Sequence, residues 1–157
     1  MENDISETAK AFIAPLKRIK SKMKLLSLME RAKKEYDKNN YEGCEDACNK
    51  ILTQNPDNSV ALRGLGCSAQ ACGNNSKALE YYQKALNHSD KKEIEYTLIG
   101  TVYYLENKLE EAIKYYNLAI DFNDNYDPAY EGKNQSMLEY HLQVADLQDD
   151  LIRRKIF

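Results

Sequence analysis

Residues 76–86 read SKALEYYQKAL and residues 110–120 read EEAIKYYNLAI. Ala78, Tyr82, Ala85 and Leu86 recur 34 residues later as Ala112, Tyr116, Ala119 and Ile120. The same step pairs Leu62 with Tyr96, Leu65 with Ile99 and Gly66 with Gly100, with no gap. A fixed period of this size marks an array whose units cannot bury their apolar faces alone and must stack to do so. One step back, the pattern falls on Leu28, Arg31, Ala32, Cys44, Cys48, Ile51 and Leu52, small or apolar except at Arg31. The units are therefore about 25–58, 59–92 and 93–126.

Each unit reads as two helices. In the third, apolar residues fall at Tyr96, Ile99, Val102 and Tyr103, then at Leu109, Ala112, Ile113, Tyr116, Ala119 and Ile120. These spacings of three and four are helical. KNN (38–40), GNNS (73–76) and ENK (106–108) are short polar breaks. A glycine inside a helix costs about 1 kcal/mol against alanine, so Gly66 and Gly100 need a close approach to justify them.

The pattern resembles the tetratricopeptide repeat: a large then a small residue in the first helix (Leu62/Tyr96, Gly66/Gly100), and alanine, aromatic, alanine in the second (Ala78/Ala112, Tyr82/Tyr116, Ala85/Ala119). The closing proline is present only as Pro56, with Asp90 and Asp124 in its later places. Unit one is degenerate, with Cys44 and Cys48 at the alanine and aromatic places. The resemblance covers about 25–142. It implies an all-α, right-handed α-α superhelical solenoid of three helix pairs. A capping helix over 127–142 would close it, with an extension at 1–24 and a helical tail at 143–157. Asp127 suits an N-cap and Pro128 a first helical turn.

The resemblance also implies that the first helices line a concave groove that binds a segment of another protein. Residues expected there are Met29, Lys33 and Tyr36, then Arg63, Cys67 and Gln70, then Thr97, Thr101, Tyr104 and Leu105, with Gln135 and Leu138 from the cap. Some family members hold the C-terminal carboxylate of Hsp70 or Hsp90 with a Lys/Asn/Asn/Lys/Arg clamp. Here Met29, Lys33, Gly64, Ile94 and Leu98 stand in those places, or, one unit later, Arg63, Cys67, Leu98, Pro128 and Gly132. Neither set supplies the donors for charge-assisted bonds to a carboxylate.

Both ends carry stripes. Phe12, Leu16, Ile19, Met23 and Leu26 are spaced by four, three, four and three. Pro15 suggests a helix start, because proline is tolerated in the first turn. Lys17, Arg18, Lys20, Lys22 and Lys24 make this segment basic. A helix covering the apolar flank of unit one is the favoured reading. Contact with an anionic membrane or a partner helix is the alternative, and membrane contact is not favoured. Met137, Tyr140, Val144, Leu147 and Leu151 form a second, heptad-like stripe beside Asp146, Asp149 and Asp150. Opposite charges on the two stripes suggest a homo-oligomer joined through the terminal helices.

The chain of 157 residues has 22 Lys+Arg against 25 Asp+Glu, net −3. Residues 1–38 carry ten basic and six acidic residues and residues 39–157 twelve and nineteen, net +4 and −7. This balance argues against a nucleic-acid partner. No window approaches the about 18 apolar residues of a membrane helix, and the acidic N-terminus reads as neither signal nor transit peptide. A cytoplasmic protein with four reduced thiols is expected. Cys44 and Cys48 lie four apart but at packing places, and the four cysteines are not expected to converge. His88 and His141 lack partners at ligand spacing, and the acids are expected on outer faces and turns. No phosphate loop, dinucleotide motif, nucleophile elbow or HExxH occurs. No cofactor, metal or catalytic activity is therefore expected. The reading is an adaptor or scaffold that binds a peptide or helix segment of a partner protein. The alternatives are a chaperone for a secreted or unstable substrate, like those of type III secretion, and a peripheral membrane or assembly component using the N-terminal helix.

Overall fold

The computed structural model describes residues 7–156, and all of its regular structure is helical. Seven helices follow in order: α1 (Glu7–Asp37), α2 (Tyr41–Leu52), α3 (Ser59–Ala71), α4 (Asn75–His88), α5 (Lys92–Leu105), α6 (Leu109–Phe122) and α7 (Asp127–Ile156). Each helix packs on its neighbours in the chain, α1 also touches α3, and α5 touches α7. That is the nearest-neighbour contact pattern of a solenoid. The pairs α1/α2, α3/α4 and α5/α6 are the three units, and α7 closes the stack.

The 34-residue step is written into the turns as well as the core. Asn39, Gly73 and Asn107 are one step apart, and all have positive φ, at 59°, 77° and 58°. Each ends a first helix in the left-handed conformation that glycine and asparagine tolerate best. The next residue in each turn sends its N–H back across the helix end: Asn40 to the Glu35 carbonyl, Asn74 to Ala69 and Lys108 to Tyr103. Asn40 and Asn74 then cap the following helix, accepting from the Gly43 and Lys77 N–H groups at 3.1 Å. Lys108 makes no such side-chain cap.

The core follows from the quoted repeat. Ala78, Ala85, Ala112 and Ala119 are fully buried, as are the Tyr82 and Tyr116 rings. A Cβ at Gly66 would overlap the Tyr82 ring, and one at Gly100 would stand 3.0 Å from Tyr116 Cε1. The glycines are therefore the seats of the tyrosines. The preceding tyrosine of each pair joins the units: Tyr81 packs on the unit-one cluster around Ile51 and Leu65, and Tyr115 on the cluster around Tyr82 and Ile99. Tyr115 also stacks on Tyr103, ring centres 5.3 Å apart.

Four expectations are corrected. Helix α1 does not start at Pro15 but runs through it from Glu7, giving up one backbone bond inside the helix. Its N-terminal half does not cover unit one: Leu16, Ile19 and Met23 are exposed, and contact with the core begins at Leu25, Leu28 and Met29. The side chain of Phe12 lies outside the described residues. The acids are not all on outer faces, since Glu93 and Glu95 are buried. Cys44, Cys48 and Cys67 do come together, in the pocket described next. At the other end α7 continues without a break past residue 142 to Ile156.

Candidate functional site

Unit one departs from the other two at the position that matters most for packing. In units two and three the second helix places a tyrosine against the glycine of the first. Its hydroxyl then reaches further polar groups on that first helix. Tyr82 donates to Gln70 Oε1 at 2.7 Å and lies 3.5 Å from Cys67 Sγ. The Tyr116 hydroxyl lies 3.2 Å from Thr101 Oγ1. Cys67 and Thr101 are one repeat step apart. In unit one the ring's place is held by Cys48, the glycine by Ala32 and the hydroxyl's neighbour by Lys33.

The following unit also takes part. Gly132 of α7 lies under the Tyr116 ring, where a Cβ would be 2.5 Å from Cε1 and Cζ. Two repeat steps relate Gly132, Leu98 and Gly64. Gly64 lies in the same way under Cys48, with a Cβ there 2.7 Å from Sγ. Unit one therefore has a seat between Ala32 and Gly64 but no ring in it. In that place is an open pocket of about 450 Å³, within the about 300–1,000 Å³ typical of ligand clefts. Its wall is mostly apolar, from Met29, Ala32, Cys44, Cys48, Ile51 and Val60, with Tyr36, Lys33 and Arg63 as the groups that carry polarity.

The electrostatics of the pocket favour neutral thiols. Burial pushes the Cys48 thiol up to about 12, reinforced by Cys44 beside it. Burial likewise raises Cys67, partly offset by the Tyr82 hydroxyl bond and by Arg63. Burial also raises the Tyr36 phenol. No group of three His, Cys, Asp or Glu disposed to hold a metal occurs among the described residues.

Arg63 is tied into the fold. Its Nε lies 3.4 Å from Oε1 of the fully buried Glu95, one unit later. The geometry is not that of a hydrogen bond, and both Glu95 oxygens lack a hydrogen-bond donor. The attraction is therefore Coulombic, and the Arg63 guanidinium is the countercharge that makes a buried carboxylate tolerable. Lys33 meets only its helix neighbour Asp37, at 2.6 Å and exposed.

The expected groove residues thus divide. Lys33, Tyr36, Arg63 and Cys67 line the pocket. Gln70 receives the Tyr82 hydroxyl. Thr97 is buried with its hydroxyl unpaired, and Thr101 donates to the Thr97 carbonyl at 2.9 Å. Tyr104 donates to Glu139 at 2.8 Å and accepts from Gln135 Nε2 at 3.0 Å, fastening α5 to α7. Leu138 is exposed in a separate shallow hollow with Gln135 and Leu142. Cys44, Cys48, Ile51 and Gly64 were not among the expected site residues. Their signal was present as the substitution of cysteine for tyrosine at the aromatic place.

A stack of helix pairs with tyrosine-on-glycine seats at a 34-residue step defines a class of helical-repeat protein. Residues 96–126 match the family model described as tetratricopeptide repeat. The chain therefore carries a tetratricopeptide repeat in its third unit. It is 33% identical over 89 residues to "Tetratricopeptide repeat protein 1" of Schizosaccharomyces pombe, a match over 55% of this chain and 8% of that one. The chain thus spans a small fraction of that relative's length. The fold is that of the first TPR domain of human RPAP3 (TM-score 0.69, 19% identity, 77% of this chain and 95% of that one). It is also that of the Yersinia enterocolitica type III secretion chaperone SycD, solved with a peptide of the translocator YopD (TM-score 0.65, 19% identity, 74% and 94%).

Proposed function

We propose that the chain is an adaptor that takes hold of a peptide segment of a partner protein, with an aromatic side chain of that segment seated in the pocket between α1, α2 and α3. One observation carries this reading: the pocket is the seat that Tyr82 and Tyr116 fill from within in the other two units, left without its ring by Cys48. An incoming phenyl or phenol ring would meet the same kind of surroundings, a small residue beneath it and apolar walls. A tyrosine hydroxyl, or an acid next in the peptide, would come to Lys33. The exposed Lys33–Asp37 pair is worth little and can yield. SycD, solved with a translocator peptide, offers a precedent for peptide binding on this fold.

The adaptor reading places the protein in the cytoplasm, which its four free thiols support. No helix of the described residues is long and apolar enough to cross a membrane. The test is selection of peptides from a displayed random library on the immobilised protein, followed by titration of synthetic peptides. One position should be enriched in Tyr or Phe. Changing that residue to Ala should weaken binding by roughly 10–100-fold, the worth of burying one large apolar side chain. The Ala32→Gly/Cys48→Tyr variant, which fills the seat, should weaken it as much. Equal binding by the filled variant would sink the proposal.

A further inference from the structure

The two longest helices each continue past the stack. Residues 7–24 of α1 precede its first core contact at Leu25. Helix α7 continues past its last bonds to the α5–α6 hairpin, Tyr140 to Glu110 at 3.0 Å and Gln143 to Asn107 at 2.9 Å. Both extensions carry apolar residues into solvent. On α1, Leu16 is 65% exposed and Met23 66%, with Ile19 and Leu26 on the same stripe. On α7, Leu147 is 63% exposed and Leu151 58%, in line with Val144 and Tyr140. Soluble chains seldom leave such stripes uncovered.

The stripes match in period, length and charge. Leu16, Ile19, Met23 and Leu26 are spaced by three, four and three; Tyr140, Val144, Leu147 and Leu151 by four, three and four. These are the a/d spacings of helices that pair side by side, about 15 Å long in each case. Residues 16–26 hold five cations (Lys17, Arg18, Lys20, Lys22, Lys24) and no acid. Residues 139–152 hold four acids (Glu139, Asp146, Asp149, Asp150) and no Lys or Arg, before Arg153, Arg154 and Lys155 at the end of the helix. Within one molecule the two extensions cannot meet, since they belong to the first and last helices of the stack.

We infer that the α1 extension of one copy pairs with the α7 extension of a second copy, and that the chain is a two-fold dimer held by two such contacts. One pairing alone, over so short a stripe, is small against the about 1,000 Å² expected of a specific interface. A reciprocal arrangement doubles it and closes the assembly, where a single head-to-tail contact would propagate into chains. The pairing leaves the unit-one pocket free and does not depend on what fills it.

The test is mass by light scattering and sedimentation equilibrium over a concentration series, at low and at molar salt. The wild type should show twice the monomer mass, with dissociation shifted to higher concentration by salt. Lys17→Glu/Lys20→Glu/Lys24→Glu should be monomeric, and so should Asp146→Lys/Asp149→Lys/Asp150→Lys. Circular dichroism should show unchanged helix content in both, because all six positions are exposed. An equimolar mixture of the two variants should recover the dimer mass, since each supplies the charge the other now needs. A monomeric wild type at every concentration overturns the inference, and so does failure of the mixture to recover. Binding of the monomer to vesicles rich in anionic phospholipid, lost in the first variant, would likewise overturn it and assign the α1 stripe to a membrane surface.

Discussion

Filling the unit-one seat gives a stability prediction that can be worked from the repeat itself. Cys48→Tyr alone brings a ring against Ala32, whose counterparts in the other units are Gly66 and Gly100. A Cβ at Gly66 would overlap the tyrosine of its unit, and at Gly100 it would stand 3.0 Å away. The single substitution is therefore overpacked, at about 1–3 kcal/mol. That cost offsets most of the about 1.5–3 kcal/mol from burying the ring. Ala32→Gly alone costs about 0.5–1 kcal/mol as a glycine in a helix interior. Together, glycine supplies the seat and tyrosine the ring. The double variant should exceed the sum of the singles by about 2 kcal/mol. Urea unfolding of all four members of the cycle measures this coupling, because unchanged slopes let midpoints be read as stability. A second readout uses phenol as a probe: its chemical-shift effects on the Met29, Cys48 and Gly64 amides in the wild type should vanish in the double variant. A coupling below about 0.5 kcal/mol, the range of independent sites, would refute the view that the pocket is an aromatic seat without its ring.

Arg63→Ala should destabilise the fold by about 3–5 kcal/mol in denaturant unfolding, because it leaves the Glu95 carboxylate buried without its countercharge; adding Glu95→Gln should recover much of that loss. Tyr82→Phe should cost about 1 kcal/mol through the bond to Gln70 at 2.7 Å, and Tyr82→Ala about 3–5 kcal/mol, both read from thermal or urea midpoints. Stability should fall at high pH. The folded Cys48 thiol is raised from 9.0 to about 12, so its contribution is whole below pH 9.0 and is lost as the pH climbs towards 12, as unfolding midpoints across that range will show. Alkylation by iodoacetamide near neutral pH should modify exposed Cys72 first and spare Cys44 and Cys48 until the protein unfolds, as mass spectrometry of peptides can follow.

The sequence made the period, the helix pairs and the buried alanines and tyrosines readable because each is a local pattern repeated at one register. Asn39, Gly73 and Asn107 belong to that pattern too, and their shared left-handed turn follows from residue type. The ends were less readable. Pro15 looked like a boundary because proline is costly inside a helix, yet α1 crosses it. The apolar stripe behind it looked like a cover for unit one, but Leu16, Ile19 and Met23 stay exposed and contact with the core begins only at Leu25. Glu95 was invisible as a buried acid, since its countercharge Arg63 lies 32 positions earlier and only the stacking of units two and three brings them together. Tyr104 and Gln135 face the groove region, but their bonds to Glu139 and to each other turn them into a strut. That, too, is a long-range fact.

Cysteine at position 48 shows how a departure from a repeat should be weighed. Read alone it is a small buried residue, and packing explains it. Read with Ala32, Lys33 and Gly64 it belongs to a set. Ala32 adds back one methyl where a whole ring is missing, and Gly64 adds nothing, as Gly132 adds nothing beneath Tyr116. Had unit one simply tightened around the smaller side chain, larger residues at 32 and 64 would have closed the gap. With a glycine at 64 and a lysine at 33, the seat stays open on its groove side and gains a cation at its rim. Apolar walls, a flat floor and one mobile charge are what a ring carried by another chain would need, and units two and three have no vacancy of that kind.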